Sequence, residues 1–453
     1  MSYGLAYTPY NTNLFLGTRS INPDTDAFIT AAGITGVTEI AALNTLVNGL
    51  QLDGLWTKMK AIYPFATDNR NLSSYTEDYV SNANWGRSNM TTTANTIISP
   101  NGTLTASTAT TTANANHALY NANPVATSTN QTFTNSIYLK YNNAQWITLE
   151  VWNGGAQNGV RLWVDIQNGV LGTANATIGS YTSSSITNVG NGWYRVSVTG
   201  VMPNASAVYL SIRHVDGNGA YNFTAVNGKS TYIWGAQSEV GTLTAYQPIA
   251  TSQQAYIASQ FKYNLKDPRD LDAAFRLVFN GGWTHSSTGA TPNGTNGYAD
   301  TLLIPSTSLS ISSSHLSVYS RTNTPSTAYV GYDIARGNYS LITQYNGNIF
   351  FANLENAGLY LASATVSNGL GFYIASRINN TSVQGFKNSS KLINAVQSSS
   401  LATSSLLIGS IGTTNFSSKQ YAFASIGDGL TDTEAANFYT RVQAFQTALS
   451  RQV

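Results

Sequence analysis

The chain has 453 residues, enough for two or three domains, and 42% of them are hydrophobic, which suffices for a packed core. Only 9% are charged, against roughly 25% in a typical soluble domain, and the net charge of +2 includes no basic run, which argues against nucleic acid as a partner. Because there is no cysteine, disulfides and thiolate metal sites are excluded.

The first 65 residues carry helical patterns. Hydrophobic residues recur at helical spacing at positions 40, 43, 46, 47 and 50, and again after Gly54 at positions 55, 56, 59 and 62. Asn22-Pro23-Asp24 is a suitable helix start. An apolar helix stripe usually packs on its own domain, so we expect these helices to pack, with anchoring to a larger assembly as the alternative.

Residues 68–252 form a strand-rich middle segment. Short apolar stretches alternate with clusters of turn residues, and in residues 194–198 apolar and polar side chains alternate, as in a strand with one buried face. The predicted strands span residues 136–140, 146–152, 160–166, 193–198, 208–213 and 231–235. Many short strands at this spacing predict a sandwich or jelly roll.

Residues 259–453 are again strand-rich and end in a helix. The predicted strands span residues 275–279, 316–320, 328–333, 371–376, 406–411 and 420–426. Thr431 and Glu434 have the spacing of a capping box, and positions 438, 442, 445 and 449 form one apolar helix face. The predicted fold class is therefore mainly β, with two β-sandwich (jelly-roll) domains, short N-terminal helices and one C-terminal helix.

The middle segment resembles a β-sandwich module of carbohydrate-binding type that is common in phage tail and head proteins. The resemblance rests on residues 71–77 (NLSSYTE), 84–85 (NW), 99–103 (SPNGT), 191–196 (NGWYRV), 232–241 (YIWGAQSEVG) and 246–248 (YQP). These stretches span nearly all of the segment.

The flanking segments resemble a second phage family, with a concanavalin-A-like lectin fold. The matching stretches are residues 55–65 (LWTKMKAIYPF), 261–279, 281–286 (GGWTHS), 292–300 (PNGTNGYAD) and 408–431. In that family the first stretch leads almost directly into the second, so the middle segment is similar to a domain inserted at an exposed loop. We expect three parts. Residues 1–66 are a helical segment that packs with the C-terminal domain, with a virion anchor as the alternative role. Residues 67–257 are the inserted sandwich, and residues 258–453 are the lectin-like sandwich.

Carboxylate chemistry has little support in the sequence. Glycoside hydrolases need two carboxylates about 5–9 Å apart, commonly alternating on one strand. The acids Glu150, Asp165, Asp216, Asp300 and Asp333 are instead isolated in neutral strands or loops. We therefore expect a protein that is not an enzyme.

The four histidines, at positions 117, 214, 285 and 315, lack the spacing of a helix-borne metal site. A Ser–His pair around His285 is conceivable, but no strand–turn–helix elbow surrounds any serine, so a loop-stabilising role is expected. Residues 214–219 (HVDGNG) offer oxygen ligands for calcium, although such a sequence is more often simply a turn. We predict no metal and no cofactor.

Sugar binding is the chemistry that the composition favours, since aromatic rings stack on pyranose faces while polar side chains bind hydroxyls. Trp193 and Trp234 are expected to be core residues. The candidate ligand-binding residues are Trp152, which precedes Asn153-Gly154-Gly155 at a strand end, together with Trp163, Trp283 and His285. Core packing is the alternative for Trp152 and Trp163, as for Trp146.

The resemblances imply a bacteriophage virion-surface structural protein: a head fibre, a capsid decoration or a tail-associated protein. Its expected partners are other virion proteins of the capsid or tail and bacterial surface glycans, without nucleic acid or membrane, and a homo-oligomer is conceivable. We expect synthesis in the host cytoplasm, because residues 1–15 lack a signal-peptide pattern and no stretch reaches about 18 apolar residues. A glycan depolymerase is the alternative. A secreted lectin-like glycoprotein, suggested by the sequons at 101–103 and 293–295, fits the missing cysteines less well.

Overall fold

A computed structural model describes residues 21–121, 130–152, 159–203, 208–323, 332–346, 348–356, 362–412 and 414–453. It confirms the mainly β fold class, with 43% strand and 16% helix. The chain divides into two compact units. The middle unit is Asn69–Ala258, and the outer unit consists of the residues up to Asp68 together with Ser259–Val453.

The described part of the middle unit contains two antiparallel six-stranded sheets, with strand orders β10-β11-β6-β13-β4-β3 and β2-β5-β12-β7-β8-β9. Their strands are β2 (Trp85–Ser88), β3 (Met90–Ile97), β4 (Ala106–Thr111), β5 (Ala118–Asn121), β6 (Gln131–Tyr141), β7 (Trp146–Trp152), β8 (Gly159–Asp165), β9 (Val170–Ala176), β10 (Ser180–Gly190), β11 (Trp193–Met202), β12 (Tyr209–Val215) and β13 (Ser230–Val240).

Alternating apolar residues of both sheets form the core of the middle unit. Ile137 and Leu139 of β6 face Ile147 and Leu149 of β7, and all four are fully buried. Asn135, a buried polar residue of β6, donates from its side-chain amide to the carbonyl oxygens of Glu150 and Tyr209 in the opposite sheet. The two sheets thus form a sandwich whose outer faces are free to carry other side chains.

The outer unit also contains two antiparallel sheets in its described residues, with orders β15-β16-β27-β18-β23-β24-β25, where β1 pairs with β27, and β14-β17-β26-β19-β20-β21-β22. The strands are β1 (Met59–Tyr63), β14 (Val278–Asn280), β15 (Trp283–Ser286), β16 (Gly289–Pro292), β17 (Tyr298–Asp300), β18 (Ser314–Ser320), β19 (Ile334–Arg336), β20 (Tyr339–Tyr345), β21 (Ile349–Asn353), β22 (Ala362–Thr365), β23 (Gly371–Arg377), β24 (Ser382–Lys387), β25 (Ser390–Val396), β26 (Leu407–Ile408) and β27 (Tyr421–Gly427).

The described helices of the outer unit are α1 (Pro23–Ala32), α2 (Val37–Leu52), α4 (Pro305–Ser308) and α5 (Asp432–Ala448), and α3 (Gln253–Phe261) ends in this unit. Both predicted helix starts are confirmed, since the Asn22 side chain accepts from the Asp24 N–H and Thr431 and Glu434 form the capping box. The apolar faces of α2 and α5 share one core cluster with Phe372 and Phe423 of the sheet. None of the described helices is long and apolar enough to cross a membrane.

The helical prediction after Gly54 is wrong. A short 3₁₀ helix, Trp56–Lys58, leads directly into β1, which pairs antiparallel with β27. Spacing that fits a helix also fits a strand buried on both faces, and here the free edge of β27, more than 350 residues away in sequence, decides the outcome.

Other predicted boundaries moved. The strand predicted at 275–279 begins later, as β14 at Val278, because Phe275, directly after the 3₁₀ helix Asp272–Ala274, adopts a left-handed conformation with φ 58°. The strand predicted at 406–411 shortens to β26, since Gly409 takes φ 89°. Helix α3 was not predicted at all, and most of the strand predicted at 328–333 lies outside the described residues.

The outer unit brings together the two points at which its chain is interrupted. Backbone Ile62 donates to Oδ1 of Asn264 and accepts from the N–H of Leu265. Close by, the rings of Phe65 and Phe261 meet edge-to-face with centroids 5.4 Å apart. The chain therefore leaves and re-enters the outer unit at neighbouring positions, the geometry that an inserted segment requires.

Candidate functional site

The outer face of the sheet β2-β5-β12-β7-β8-β9, here called the open face, carries an unusual set of side chains. In β7, Ile147, Leu149 and Val151 point into the core, so the alternation of the strand turns Glu150 and Trp152 to the opposite side. The antiparallel register places Tyr209 opposite Trp152 and Arg161 opposite Glu150. Three neighbouring strands thus present aromatic and charged groups together.

Three rings form what we call the aromatic triangle of the open face: Tyr120, Trp152 and Tyr209. Their centroids lie 5.7 Å (Tyr120–Trp152), 6.0 Å (Tyr120–Tyr209) and 5.2 Å (Trp152–Tyr209) apart, and all three residues are half-buried. Gly86 makes room for the triangle, because a Cβ at that position would lie 2.3 Å from Cζ of Tyr120. Tyr120 meets the other two rings edge-to-face, at 81°, and the three rings support one another at a partly exposed position.

Beside the triangle lies the charged cluster, formed by Glu150, Arg161 and Arg213. Nε of Arg161 donates to Oε1 of Glu150 at 2.6 Å, and Nε of Arg213 lies 3.3 Å from Oε2. The three side chains are only 11%, 7% and 3% exposed for Arg161, Arg213 and Glu150, respectively. Desolvation strengthens hydrogen bonds between charged groups of this kind and fixes their geometry.

The cluster is held from both ends. Nη1 of Arg213 donates to the carbonyl oxygen of His117 at 2.6 Å and to Oδ1 of Asn116 at 2.8 Å. The Arg161 guanidinium stacks on the Tyr221 ring, with Cζ 3.6 Å from the ring centroid. Burial is the main cause that raises the pKa of the Tyr221 hydroxyl, with the charge of Glu150 adding to it.

Arg213 also connects the charged cluster to the aromatic triangle, since its Cζ lies 5.7 Å from the centroid of Trp152. The open face therefore runs continuously from rings that can stack to guanidinium groups that can donate.

Trp163, one of the predicted ligand-binding residues, lies beneath this surface. It is 3% exposed, and its Nε1 donates to the carbonyl oxygen of Ala220 at 2.7 Å, one residue before Tyr221. Its ring centroid is 5.5 Å from Cζ of Arg161. Trp163 therefore supports the loop and the guanidinium, whereas Trp152 lies at the surface; Asn153-Gly154-Gly155 lie outside the described residues.

The other two predicted residues, Trp283 and His285, belong to the outer unit. Trp283 donates from Nε1 to the carbonyl oxygens of Asn280 and Tyr298, which ties its indole to the strand pair β14–β17. His285 is 6% exposed and packs edge-to-face on Phe279 at 4.8 Å, and burial lowers its pKa to about 4. These contacts are typical of hairpin packing, and the ligand-binding role of both residues stays a prediction.

A Ser–His contact does occur, at a different histidine. Nε2 of His315 lies 3.0 Å from Oγ of Ser425, and Nδ1 lies 2.6 Å from the carbonyl oxygen of Asp428. Both His315 and Ser425 are fully buried, and burial lowers the pKa of His315 to about 4. A substrate has no access to this pair, so its role is structural.

The possible calcium ligands are engaged in turn contacts. The Asp216 carboxylate accepts from the Thr224 hydroxyl at 2.7 Å and from backbone N–H groups, and Oδ1 of Asn218 accepts from the N–H of Thr173. Within the described residues no group of three or more His, Asp or Glu side chains could hold a metal ion.

The acids on the open face are poorly placed for hydrolysis. Asp165 is the other carboxylate that the described strands place there, and it lies four residues along β8 from Arg161, the partner opposite Glu150. That is ~13 Å at about 3.3 Å per residue, whereas glycosidases place the two carboxylates about 5–9.5 Å apart. The Asp165 carboxylate also accepts from Gln145 and Asn168 at 2.8 Å each.

Sequence reasoning missed Tyr120, Tyr209, Arg161, Arg213 and Tyr221. Arg161 could have been found, because it alternates with the buried Val160 and Leu162 in a predicted strand. Tyr120 gave no signal, since β5 was not predicted, and the importance of Arg213 and Tyr209 follows from the pairing of β12 with β7. Register between distant strands is not visible in a single sequence.

No family model matches the chain, and neither does any curated protein. Among solved structures it is similar to the CBM22-1 xylan-binding domain from Paenibacillus barcinonensis, with 12% identity and a TM-score of 0.23 over 40% of this chain and 99% of that one. The CBM22-1-CBM22-2 tandem of the same organism gives 12% and 0.24 over 80% and 98%. Domains LG4-5 of the mouse laminin alpha1 chain give 8% and 0.21 over 66% and 82%. Because every TM-score is below 0.5, these likenesses carry no conclusion about ligands.

Proposed function

We propose that this chain is a non-catalytic glycan-binding protein displayed on a bacteriophage virion, as a head fibre, capsid decoration or tail-associated protein. The observation that carries the glycan-binding part is the open face, where the aromatic triangle adjoins the charged cluster on one rigid sheet. Partners on the virion side are other capsid or tail proteins, and on the host side bacterial surface glycans.

The chemistry of the open face suits a sugar. The apolar face of a pyranose stacks on the face of an aromatic ring, a role that we assign to Trp152. Tyr209 is tilted by 44° to Trp152 and Tyr120 stands at 81° to both, so these two rings border the stacked sugar. Hydroxyls need fixed donors and acceptors at the edge of the stacked ring, which the guanidinium groups and the phenol oxygens supply. Because β-strands and mutual contacts hold these groups, little side-chain entropy is lost on binding.

The proposed absence of catalysis rests on the acids. Glu150 is engaged by Arg161 and Arg213, and Asp165 is too distant to act with it. The proposed placement on a virion rests on the sequence resemblances. The composition, with 9% charged residues and no cysteine, also suits a protein of an assembled particle.

The glycan-binding proposal is tested by applying the full chain to an array of bacterial surface polysaccharides. Trp152→Ala removes the central ring of the triangle, and we expect an affinity loss of at least about tenfold, or ~1.4 kcal/mol. The matched control is Tyr181→Ala, which removes a 42% exposed tyrosine from β10 in the other sheet. Equal binding by wild type and Trp152→Ala would contradict the proposed site.

The virion proposal needs a separate test. Antibodies raised against the full chain should label intact phage particles in immunoelectron microscopy, at the capsid or the tail. Absence of the chain from purified particles, by mass spectrometry, would reject the virion role while leaving glycan binding untouched.

A further inference from the structure

The charged cluster of the open face is not neutral. Two guanidinium groups, on Arg161 and Arg213, share the single carboxylate of Glu150, which leaves one positive charge. A strand that only needed structural support could have used a neutral pair, and burying an extra cation costs free energy unless something compensates it.

The hydrogen-bonding geometry leaves the charge directed outward. The Glu150 carboxylate contacts Nε of both arginines. Nη1 of Arg213 donates to Oδ1 of Asn116 and to the carbonyl oxygen of His117. Among the described residues nothing accepts from Nη1 or Nη2 of Arg161 or from Nη2 of Arg213, and these atoms are not sealed from solvent. Three N–H-bearing atoms are therefore available at the edge of the aromatic triangle.

The plane of the Arg161 guanidinium is fixed in advance. Tyr221 covers one of its faces at 3.6 Å, and the hydrogen bond from Nε to Glu150 prevents rotation about the end of the side chain. A fixed planar fork matches two oxygens of a carboxylate or phosphate, and such bidentate contacts are stronger and more selective than those to a hydroxyl.

We infer that the open face selects glycans that carry an anionic substituent, a carboxylate or a phosphate, with the oxyanion on the Arg161 fork and a sugar ring on the aromatic triangle. This inference rests on the proposed glycan-binding function and adds the class of glycan. The remaining positive charge of the cluster attracts the substituent, and Glu150 keeps the fork in position and disfavours cationic amino sugars.

The test uses an array of bacterial capsular and cell-wall polysaccharides, each printed in three forms: native, carboxyl-reduced and dephosphorylated. We expect the full chain to bind acidic native glycans at least tenfold more tightly than the treated counterpart, and more weakly as salt rises. The treatment that abolishes binding identifies the substituent as carboxylate or phosphate.

Arg161→Gln should reduce the preference for the native form to less than twofold, while Arg161→Lys, which keeps the charge and loses the fork, should give an intermediate preference. Lys140→Gln is the matched control, since it removes one positive charge from β6 in the other sheet. Circular dichroism of each variant checks that the fold is kept.

Three outcomes separate the claims. Equal binding of native and treated glycans, reduced by Trp152→Ala, would overturn the inference and keep the glycan-binding function. An equal loss of preference in Lys140→Gln and Arg161→Gln would also overturn it, because overall charge would then explain the selectivity. Failure to bind any printed glycan would reject the proposed function together with the inference.

Discussion

Both sheets of the middle unit carry aromatic clusters on their outer faces, yet the two clusters differ in how deeply they are buried. On the open face, Tyr120, Trp152 and Tyr209 are half-buried. On the other sheet, Trp193 and Trp234 are only 1% and 4% exposed, although they too point away from the main core between the sheets.

The second cluster is sealed by loops that satisfy its polar edges. Nε1 of Trp193 donates to the carbonyl oxygen of Ile98, Nε1 of Trp234 donates to Oγ1 of Thr105, and Tyr246 donates to Glu77. Tyr138, Trp234 and Tyr246 pack with centroids 5.0–5.7 Å apart. Aromatic content on an outer face therefore does not define a binding site; what matters is whether the chain itself covers the rings.

The largest expected difference between the clusters is in stability. Trp234→Ala empties a sealed site and should lower the free energy of unfolding by about 3–5 kcal/mol. Trp152→Ala removes a half-exposed ring and should cost less than about 1.5 kcal/mol, with its main effect on glycan binding. Urea unfolding of the full chain, followed by tryptophan fluorescence and circular dichroism, measures both. Similar costs for the two variants would show that the open face is as much a packing surface as the sealed one.

The sequence indicates part of this contrast. Trp193 and Trp234 were predicted to be core and are buried, but by loops rather than between the sheets. Trp152 was correctly placed at a strand end, since β7 spans the predicted residues 146–152. Local alternation and capping are visible in sequence because they depend on neighbours within about four residues.

The rest depends on distant pairing. The charged cluster exists because β12 and β8 flank β7 in one register, which joins residues 150, 161 and 213. β1 likewise became a strand because β27 was available to pair with it. In both cases the deciding contact lies far along the chain, where composition and periodicity carry no information.

The acids of the two outer faces offer a sharper comparison. Glu150→Gln leaves Arg161 and Arg213 without a counter-charge in a largely buried setting, and should lower the free energy of unfolding by about 1–3 kcal/mol. Glu77→Gln keeps an oxygen that accepts from Tyr246, so it should cost less than about 1 kcal/mol. The ratio of the two costs, from urea unfolding of the full chain, is the readout. A larger cost for Glu77→Gln would mean that the carboxylate charge matters more in the sealed cluster.

The last expected effect concerns pH and the core behind the open face. His214 lies in β12 and contacts Oγ1 of Thr111 through Nδ1, and burial, followed by the charge of nearby His117, lowers its pKa to about 3. Since the unfolded chain binds a proton near pH 6.5, the stabilisation is complete above that pH. It falls by about 1.4 kcal/mol per pH unit as the pH drops toward 3.

Urea unfolding between pH 7 and 5 should therefore show a declining midpoint, and His214→Asn, which keeps a polar contact to Thr111 without titrating, should flatten the decline. His285→Asn in the outer unit is the matched control: its pKa is also lowered, to about 4, so its effect should appear in the transition of the outer unit instead. If His214→Asn left the pH dependence unchanged, His214 would not be the source of the acid sensitivity, and His117, whose pKa burial also lowers, would be the next group to replace.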